Sequence, residues 1–335
     1  MSTTKVPLGS IARLAWPDRI CTSSLVVTAV TGTLLWAAAS DLLREGHLAS
    51  ALSAGRAELA APLLVGLVVV TGICERLWPA EPRPMLAPGH LQDVCYLVLH
   101  AVVVIPLMTL LSVGAAVVIR SHLSWLELRS AEQIPPAVLV PLTIVAMDGA
   151  NWLAHYADHR LRALWRFHAL HHSQEELSVL TSFRAHPLMH TTGFVLATVP
   201  VVVLMPTLPI APVLITSYVC VGTLQHANLR WTFGPLGKVI VSPAYHRLHH
   251  DPIRQDLNLG VVLVVWDVIA GRAHFPSASD AVGATGLEGR PVPVEQNGWA
   301  RSGVRVMASQ LVEPFRAQRL PGERLPSHPA VSTLL

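Results

Sequence analysis

The sequence predicts an all-α protein embedded in a membrane, and two observations support this fold class. Of the 335 residues, 52% are hydrophobic and only 13% are charged, whereas a soluble domain carries about 25% charged residues. The apolar residues also form several runs close to the roughly 20 residues that a membrane-spanning helix needs. We therefore expect lipid to be part of the solvent of this chain.

Four apolar runs are the candidate transmembrane helices. The first is slightly short, but no small-residue cleavage site follows it, so we interpret it as a retained span and not as a signal peptide. The third is long enough to cross with tilt, and Pro136 suits the first turn of the fourth. The four runs are residues 23–40, 59–74, 94–119 and 135–154.

The remaining sequence divides less clearly. Residues 192–224 are apolar but contain four prolines, which favours a helical hairpin with arms too short to cross fully. Residues 260–270 are expected to be a buried or interfacial segment. Both ends of the chain look polar and irregular, and the C-terminal end has the composition of a disordered segment. We predict N-terminal transmembrane helices in 1–134, a catalytic domain in 135–275 and a polar tail in 276–335.

Charge and cysteine content exclude several classes of protein. The net charge is only +3 and no basic stripe interleaves with aromatic residues, so nucleic-acid binding has little support. The four cysteines lie in or beside apolar runs without metal or redox spacing, so no disulfide framework is expected. They are Cys21, Cys74, Cys95 and Cys220.

Loop charge predicts the orientation of the spans. Basic residues occur in three regions separated by an even number of crossings, although four arginines in the opposing loops make the bias modest. Both termini and the histidine-rich region are therefore expected on the cytoplasmic side of a membrane, which we take to be the cell inner membrane. The basic residues are Lys5, Arg13, Arg19, Arg76, Arg83, Arg160, Arg162, Arg166 and Arg184.

Most of the seventeen histidines fall in one part of the chain, in three clusters. Residues three and four apart share a helix face, so each cluster can present several imidazoles together, the last two as edges of three. His168 follows His159 by nine residues, about half a turn out of phase, so we expect the helix to break within residues 161–165. The clusters are His155 and His159; His168, His171 and His172; and His246, His249 and His250.

So many imidazoles indicate a transition metal. Imidazole suits iron, copper, zinc and nickel, and eight clustered histidines exceed the four ligands of a typical zinc site. Two metals would use them, and dioxygen activation would favour iron. Isolated histidines are more often packing or capping residues, and we expect no metal role for His47, His90, His100, His122, His274 and His328.

At these clusters the chain resembles the fatty acid hydroxylase/sterol desaturase superfamily of membrane di-iron oxygenases. The resemblance covers residues 148–271, a little over a third of the chain. It includes the order His-x3-His, His-x2-His-His and again His-x2-His-His. The other matching segments are Trp165-Arg-Phe-His168, Arg184-Ala-His186-Pro187, His226-Ala-Asn228, Asn258-Leu-Gly260 and Trp266-Asp267.

The resemblance implies a helical membrane anchor with a cytosolic cap of histidine-bearing helices and a di-iron centre. It also implies a separate electron donor of the cytochrome b5 or ferredoxin type, because this chain shows no haem or flavin fingerprint, and an apolar substrate such as a lipid, sterol or carotenoid. It adds His226 as a ninth ligand, with His186 and His190 as weaker candidates. Met189 replaces a frequent Glu, and Gly222 occupies the position of a further His in some members.

Three acidic residues lie near the clusters. Asp148 is two helical turns before His155, so it is expected either to orient a ligand histidine from behind or to form a helix-packing hydrogen bond. Asp158 and Asp251 flank ligands, and we expect them to face solvent or to pair with neighbouring arginines.

The predicted reaction is oxygen-dependent hydroxylation of an unactivated C–H bond in an apolar substrate. Desaturation is a close alternative, because both reactions begin with hydrogen abstraction. A non-redox zinc enzyme or an idle metal-binding membrane protein is the alternative from another class. No Gly-x-Ser-x-Gly motif suggests hydrolysis instead.

Overall fold

The computed structural model describes most of the chain between residues 62 and 316. The described parts are residues 62–83, 87, 89–128, 133–189, 191–204, 220–276, 283–288, 292 and 300–316, with isolated helical positions between 29 and 40. The first predicted span and the second arm of the predicted hairpin lie largely outside them.

The described residues form an all-helical structure, as predicted, with two isolated β-bridges, Pro79–Leu229 and Ile240–Leu263. The helices are α1 (Pro62–Leu77), α2 (His90–Leu99), α3 (Ile105–His122), α4 (Pro136–Arg160), α5 (Arg162–His172), α6 (Thr191–Leu204), α7 (Pro243–His249), α8 (Val265–Ile269) and α9 (Ala300–Val312).

Two helical stretches of the described chain are long and apolar enough to cross a membrane, namely His90–His122 and Ala137–Arg160. The first consists of α2 and α3, joined by a π-helical turn at His100–Val104. Pro106 follows this turn and has no N–H to offer the carbonyl four residues before it, which explains why the helix widens there. The second lies within α4, which continues six residues beyond the predicted span and so carries His155 and His159.

Helix α4 ends at Arg160, and Leu161 adopts an extended conformation before α5 begins at Arg162. The break predicted from the half-turn offset of the first two clusters is therefore confirmed. Because of this break α5 folds back against α4, and both helices direct histidines into the same space.

The predicted irregular tail was wrong for residues 300–316, which contain α9. Met307 and Leu311 of this helix pack against a core cluster with Tyr96 of α2. The side-chain oxygen of Gln310 (Oε1) accepts hydrogen bonds from the Gln92 side-chain amide (2.9 Å) and from the Tyr96 hydroxyl (2.8 Å). The apolar residues of α9 have helical spacing, but intervening Arg, Ser and Gly residues weaken the pattern in the sequence.

Candidate metal centre

The structure brings all nine predicted histidines together in two adjacent groups. Within each group the potential ligand nitrogens all lie within 4.8 Å of one another. The five-histidine group is His155, His159, His168, His172 and His249, and the four-histidine group is His171, His226, His246 and His250.

The groups cut across the sequence clusters. On α5, His168 and His172 are four residues apart and join the five-histidine group, whereas His171 points to the other group. Helix α7 divides in the same way, because His246 and His250 face one group and His249 faces the other. The predicted edges of three histidines are therefore each split between two sites.

The groups touch through stacked rings. The imidazoles of His172 and His250 are nearly parallel, with centroids 4.4 Å apart, and the ring centroids of His171 and His172, which also belong to different groups, are 5.6 Å apart. Two ions held by the two groups would therefore be close neighbours, within one buried site.

Backbone carbonyls fix the orientation of four of the rings through Nδ1. His155 donates to the Leu259 carbonyl (2.8 Å) and His249 donates to that of Leu257 (2.9 Å). The other two pairs are His171 with the Arg184 carbonyl (3.2 Å) and His226 with the Gly222 carbonyl (3.1 Å). An imidazole that carries its proton on Nδ1 presents an unprotonated Nε2, so this hydrogen-bond network assigns the tautomer of each ring.

These unprotonated nitrogens face each other. The Nε2 atoms of His155 and His249 are 3.1 Å apart, and those of His171 and His226 are 2.9 Å apart. A proton shared between two facing Nε2 atoms is unfavourable, because burial lowers the pKa of His226 to about 3 and that of His249 well below its usual range. Facing lone pairs repel unless a cation lies between them.

A metal ion fits this donor set. Two nitrogens bound to one metal at about 2.1 Å and at right angles are about 3.0 Å apart, close to the observed separations. The Nε2 atom of His159 is buried without a hydrogen-bond partner, as expected of a nitrogen that binds a metal ion. All nine donors are imidazoles, a set that suits iron, copper, zinc or nickel better than magnesium or calcium.

The expectation for Asp158 was wrong. Its side chain does not face solvent or pair with Arg160, which instead contacts Asp256 at 3.6 Å. Asp158 is buried, and its carboxylate lies 3.9 Å from Nδ1 of His168. The helix break explains the difference, because it folds α5 over the face of α4 that carries Asp158.

Asp148 binds the segment after α7. Its carboxylate accepts hydrogen bonds from the backbone N–H groups of Val262 (3.0 Å) and Leu263 (3.1 Å) and from the Trp266 indole (3.0 Å). These contacts tie α4 to the carbonyl loop, as we call residues 257–264, which supplies the Leu257 and Leu259 acceptors. Asp148 thus matches the packing alternative, and its described contacts reach the histidines through this loop.

A second carboxylate, that of Asp267, holds the same loop, and the sequence did not indicate it as a site residue. Asp267 accepts hydrogen bonds from the N–H groups of Leu259 (3.0 Å) and Gly260 (2.7 Å). It also accepts from the Trp152 indole (2.8 Å) and the Tyr245 hydroxyl (2.9 Å). A Cβ atom on Gly260 would lie 3.0 Å from an Asp267 oxygen, which is a tight contact, so glycine favours this close approach. The Trp266-Asp267 pair was noticed in the sequence, but nothing local indicated its partners.

A buried ion pair supports the other group. Arg184 and Asp93 are both fully buried, and the guanidinium Nε lies 2.5 Å from the carboxylate. Gln174 also donates to Asp93 (2.8 Å). Because the Arg184 carbonyl accepts from His171, this pair fixes the backbone that orients a ring of the four-histidine group.

The remaining described histidines lie outside both groups, among them His90, His100, His122 and His274. The weak candidate His186 is buried, and its Nε2 donates to the Leu311 carbonyl (3.1 Å) while its Nδ1 accepts from the Leu188 N–H (3.1 Å). The positions of His47, His190 and His328 lie outside the described residues.

The region that carries the histidines is similar to known lipid hydroxylases and monooxygenases. The fatty acid hydroxylase family model matches residues 140–272. Ornithine lipid hydroxylase OlsE of Rhizobium tropici is 30% identical over 227 residues, which are 65% of this chain and 69% of that protein. Alkylglycerol monooxygenases of Danio rerio and Homo sapiens are each 29% identical over 147 residues, or 42% of this chain. The chain spans only about a third of their length, 31% and 32% respectively. No solved structure matches significantly.

Proposed function

Because the chain belongs to the fatty acid hydroxylase family and is a membrane oxidoreductase, we propose that it is a di-iron monooxygenase that hydroxylates a membrane lipid. The observation that carries this proposal is the pair of adjacent buried groups of five and four imidazoles. Iron is the metal we propose, because dioxygen activation needs a redox-active ion and all nine donors suit it.

The nine histidines would hold two iron ions, which supply the reduction of dioxygen and the oxidation of the C–H bond when they are bound. The protein's own contribution is to orient and desolvate the rings. The carbonyl loop and the backbone carbonyls of Arg184 and Gly222 keep Nδ1 protonated in four of them, which leaves Nε2 as the donor. Burial lowers the pKa of His226 and His249, so these rings stay neutral, which is the form in which an imidazole binds a metal.

We propose a membrane lipid as the substrate. One relative is named as an ornithine lipid hydroxylase, and two others are named as alkylglycerol monooxygenases. Lipids of both kinds keep a polar headgroup at the membrane surface and an apolar chain within it. An ornithine lipid is the first compound to assay, since that relative matches 65% of this chain.

The electrons would come from a separate protein of the cytochrome b5 or ferredoxin type.

We propose that the metal groups lie on the cytoplasmic side of the inner membrane. The arginines at the end of α4 and in α5, namely Arg160, Arg162 and Arg166, support this orientation, because basic residues favour the cytoplasmic side. Reporter fusions at both termini and after Gln174 test this orientation. A reporter at Gln174 that is active only outside the cytoplasm would contradict it.

Incubation under ¹⁸O₂ tests the reaction. The iron-loaded protein in lipid vesicles, with a reducing system, is expected to yield an alcohol that carries one ¹⁸O atom per product. A new double bond without label would support desaturation instead. Turnover that persists without oxygen and reductant would eliminate both oxidative reactions and favour a zinc enzyme.

A further inference from the structure

The short helix α8 exposes an apolar face beside the metal groups. Val265, Val268 and Ile269 are all exposed, and Ile269 is the most accessible of them at 72%. Soluble proteins expose single apolar residues routinely, but contiguous apolar patches mark contact surfaces. We therefore expect the exposed face of α8 to contact an apolar partner.

The patch continues onto a neighbouring segment. The Val264 N–H donates to the Val239 carbonyl (2.9 Å), and Ile240 and Leu263 form a β-bridge. This pairing brings exposed Leu236 and Val239 next to α8. We call the five exposed residues the apolar collar: Leu236, Val239, Val265, Val268 and Ile269.

The position of the collar along α4 is fixed by tight contacts. A Cβ atom on Gly149 would lie 2.7 Å from the Trp266 ring, so that ring packs directly on the α4 backbone. One turn later, the Trp152 indole donates to Asp267 (2.8 Å). Helix α8 therefore lies against residues 149–152, within the stretch of α4 that is apolar enough to cross a membrane.

The surface of α4 on either side of its contact with α8 is also apolar and exposed. Leu142 and Val145 precede the contact and Leu153 follows it, and all three side chains are exposed. The collar is thus continuous with the surface that a membrane-spanning helix offers to lipid. Lys238 lies in the collar segment and Trp231 just before it, and residues of these types are typical of the membrane interface.

We propose that the apolar collar is immersed in the lipid bilayer, so that α8 lies in the membrane interface next to the metal groups. His155 follows Trp152 by three residues, which is about 4.5 Å along the helix. A lipid chain beside the collar would then reach the site without leaving the membrane. This route rests on the proposed function, whereas the immersion of the collar does not.

The opposite end of the site offers a matched control. Ile253 is more exposed than Ile269, at 84% against 72%, but it lies in a charged segment between Asp251 and Arg254. This segment contacts the end of α4 through Asp256 and Arg160 (3.6 Å). Arg160 is eight residues beyond Trp152, about 12 Å further along the helix. Ile253 is therefore expected in water.

Site-specific fluorescence quenching tests the proposal. The four native cysteines are replaced by alanine, and an environment-sensitive fluorophore is attached at Ile269→Cys, Ile253→Cys or Val145→Cys. The full chain is reconstituted in vesicles of phosphatidylethanolamine and phosphatidylglycerol. We expect acyl-chain nitroxides to quench most of the fluorescence at positions 269 and 145, and aqueous iodide to quench most of it at position 253.

Two results would overturn the proposal. Iodide could quench position 269 as fully as position 253, which would mean that the collar faces water. Alternatively neither quencher could reach position 269, which would mean that protein covers it. The measurement requires no metal and no turnover, so it can fail while the lipid hydroxylase proposal stands, and the reverse also holds.

Discussion

The Nε2 atoms of His155 and His249 lie 3.1 Å apart, although 94 positions separate the two residues in the sequence. Both rings are aligned by carbonyls of one loop, those of Leu259 and Leu257. The five-histidine group therefore depends on the carbonyl loop as well as on the helices that carry its ligands.

Replacing Asp267 by Asn should disrupt this loop. Each carboxylate oxygen accepts two hydrogen bonds, and the amide nitrogen of Asn would confront two donors. Disturbing the groups behind metal ligands typically costs about 10–100-fold in metal affinity or activity, and we expect a loss of that size in a metal titration. Asp251→Asn is the control, since Asp251 flanks His250 but accepts from the Ile253 N–H. Equal affinities in the two variants would argue against the loop's role.

Ligand removal should lower metal content in steps. His172→Ala affects the five-histidine group and His250→Ala the four-histidine group, so each should reduce bound iron from two ions per chain towards one and abolish hydroxylation. His122→Ala is the control, because His122 is exposed at the end of α3. Metal analysis of the purified variants decides the matter. Full occupancy in both ligand variants would refute the assignment.

Breaking the buried ion pair should destabilise the fold. Arg184→Met leaves the Asp93 carboxylate buried without its cation, which typically costs about 3–5 kcal/mol. Asp93→Leu combined with Arg184→Met removes both charges and should restore part of that loss. Thermal unfolding in detergent micelles measures the difference. A double variant less stable than Arg184→Met would contradict this account.

Acid should destabilise the fold through His186. Burial lowers the pKa of His186 from 6.5 to about 4, and protonation of Nδ1 would remove the acceptor of the Leu188 N–H. Because the unfolded chain binds this proton first, stability is fully present above about pH 6.5. It falls by about 1.4 kcal/mol per pH unit from this residue down to about pH 4.

His186→Gln tests this sign, because Gln can still donate to the Leu311 carbonyl but does not titrate. The unfolding temperature of the metal-free variant should fall less between pH 6.5 and pH 4 than that of the parent chain. Parallel pH profiles would show that His186 is not the titrating group.

Helical periodicity predicted the eight clustered histidines and the break between α4 and α5, and the family resemblance added His226. The sequence did not predict how the nine histidines divide between the five-histidine and the four-histidine group. Neighbouring residues on a helix point about 100° apart, so His171 and His172 face different groups, while His168 and His172, four apart, face the same one. The ion pair of Arg184 with Asp93 was missed because its partners are 91 positions apart, a contact that only tertiary packing creates.

The division of α7 between the two groups has a consequence for biosynthesis. His249 completes one group, and His246 and His250 complete the other, so neither is whole in a nascent chain that stops before α7. The two described stretches that are long and apolar enough to cross a membrane precede α7 in the chain and leave the ribosome earlier. Both metal groups are therefore completed only after the stretches that can anchor the chain in a membrane have been synthesised.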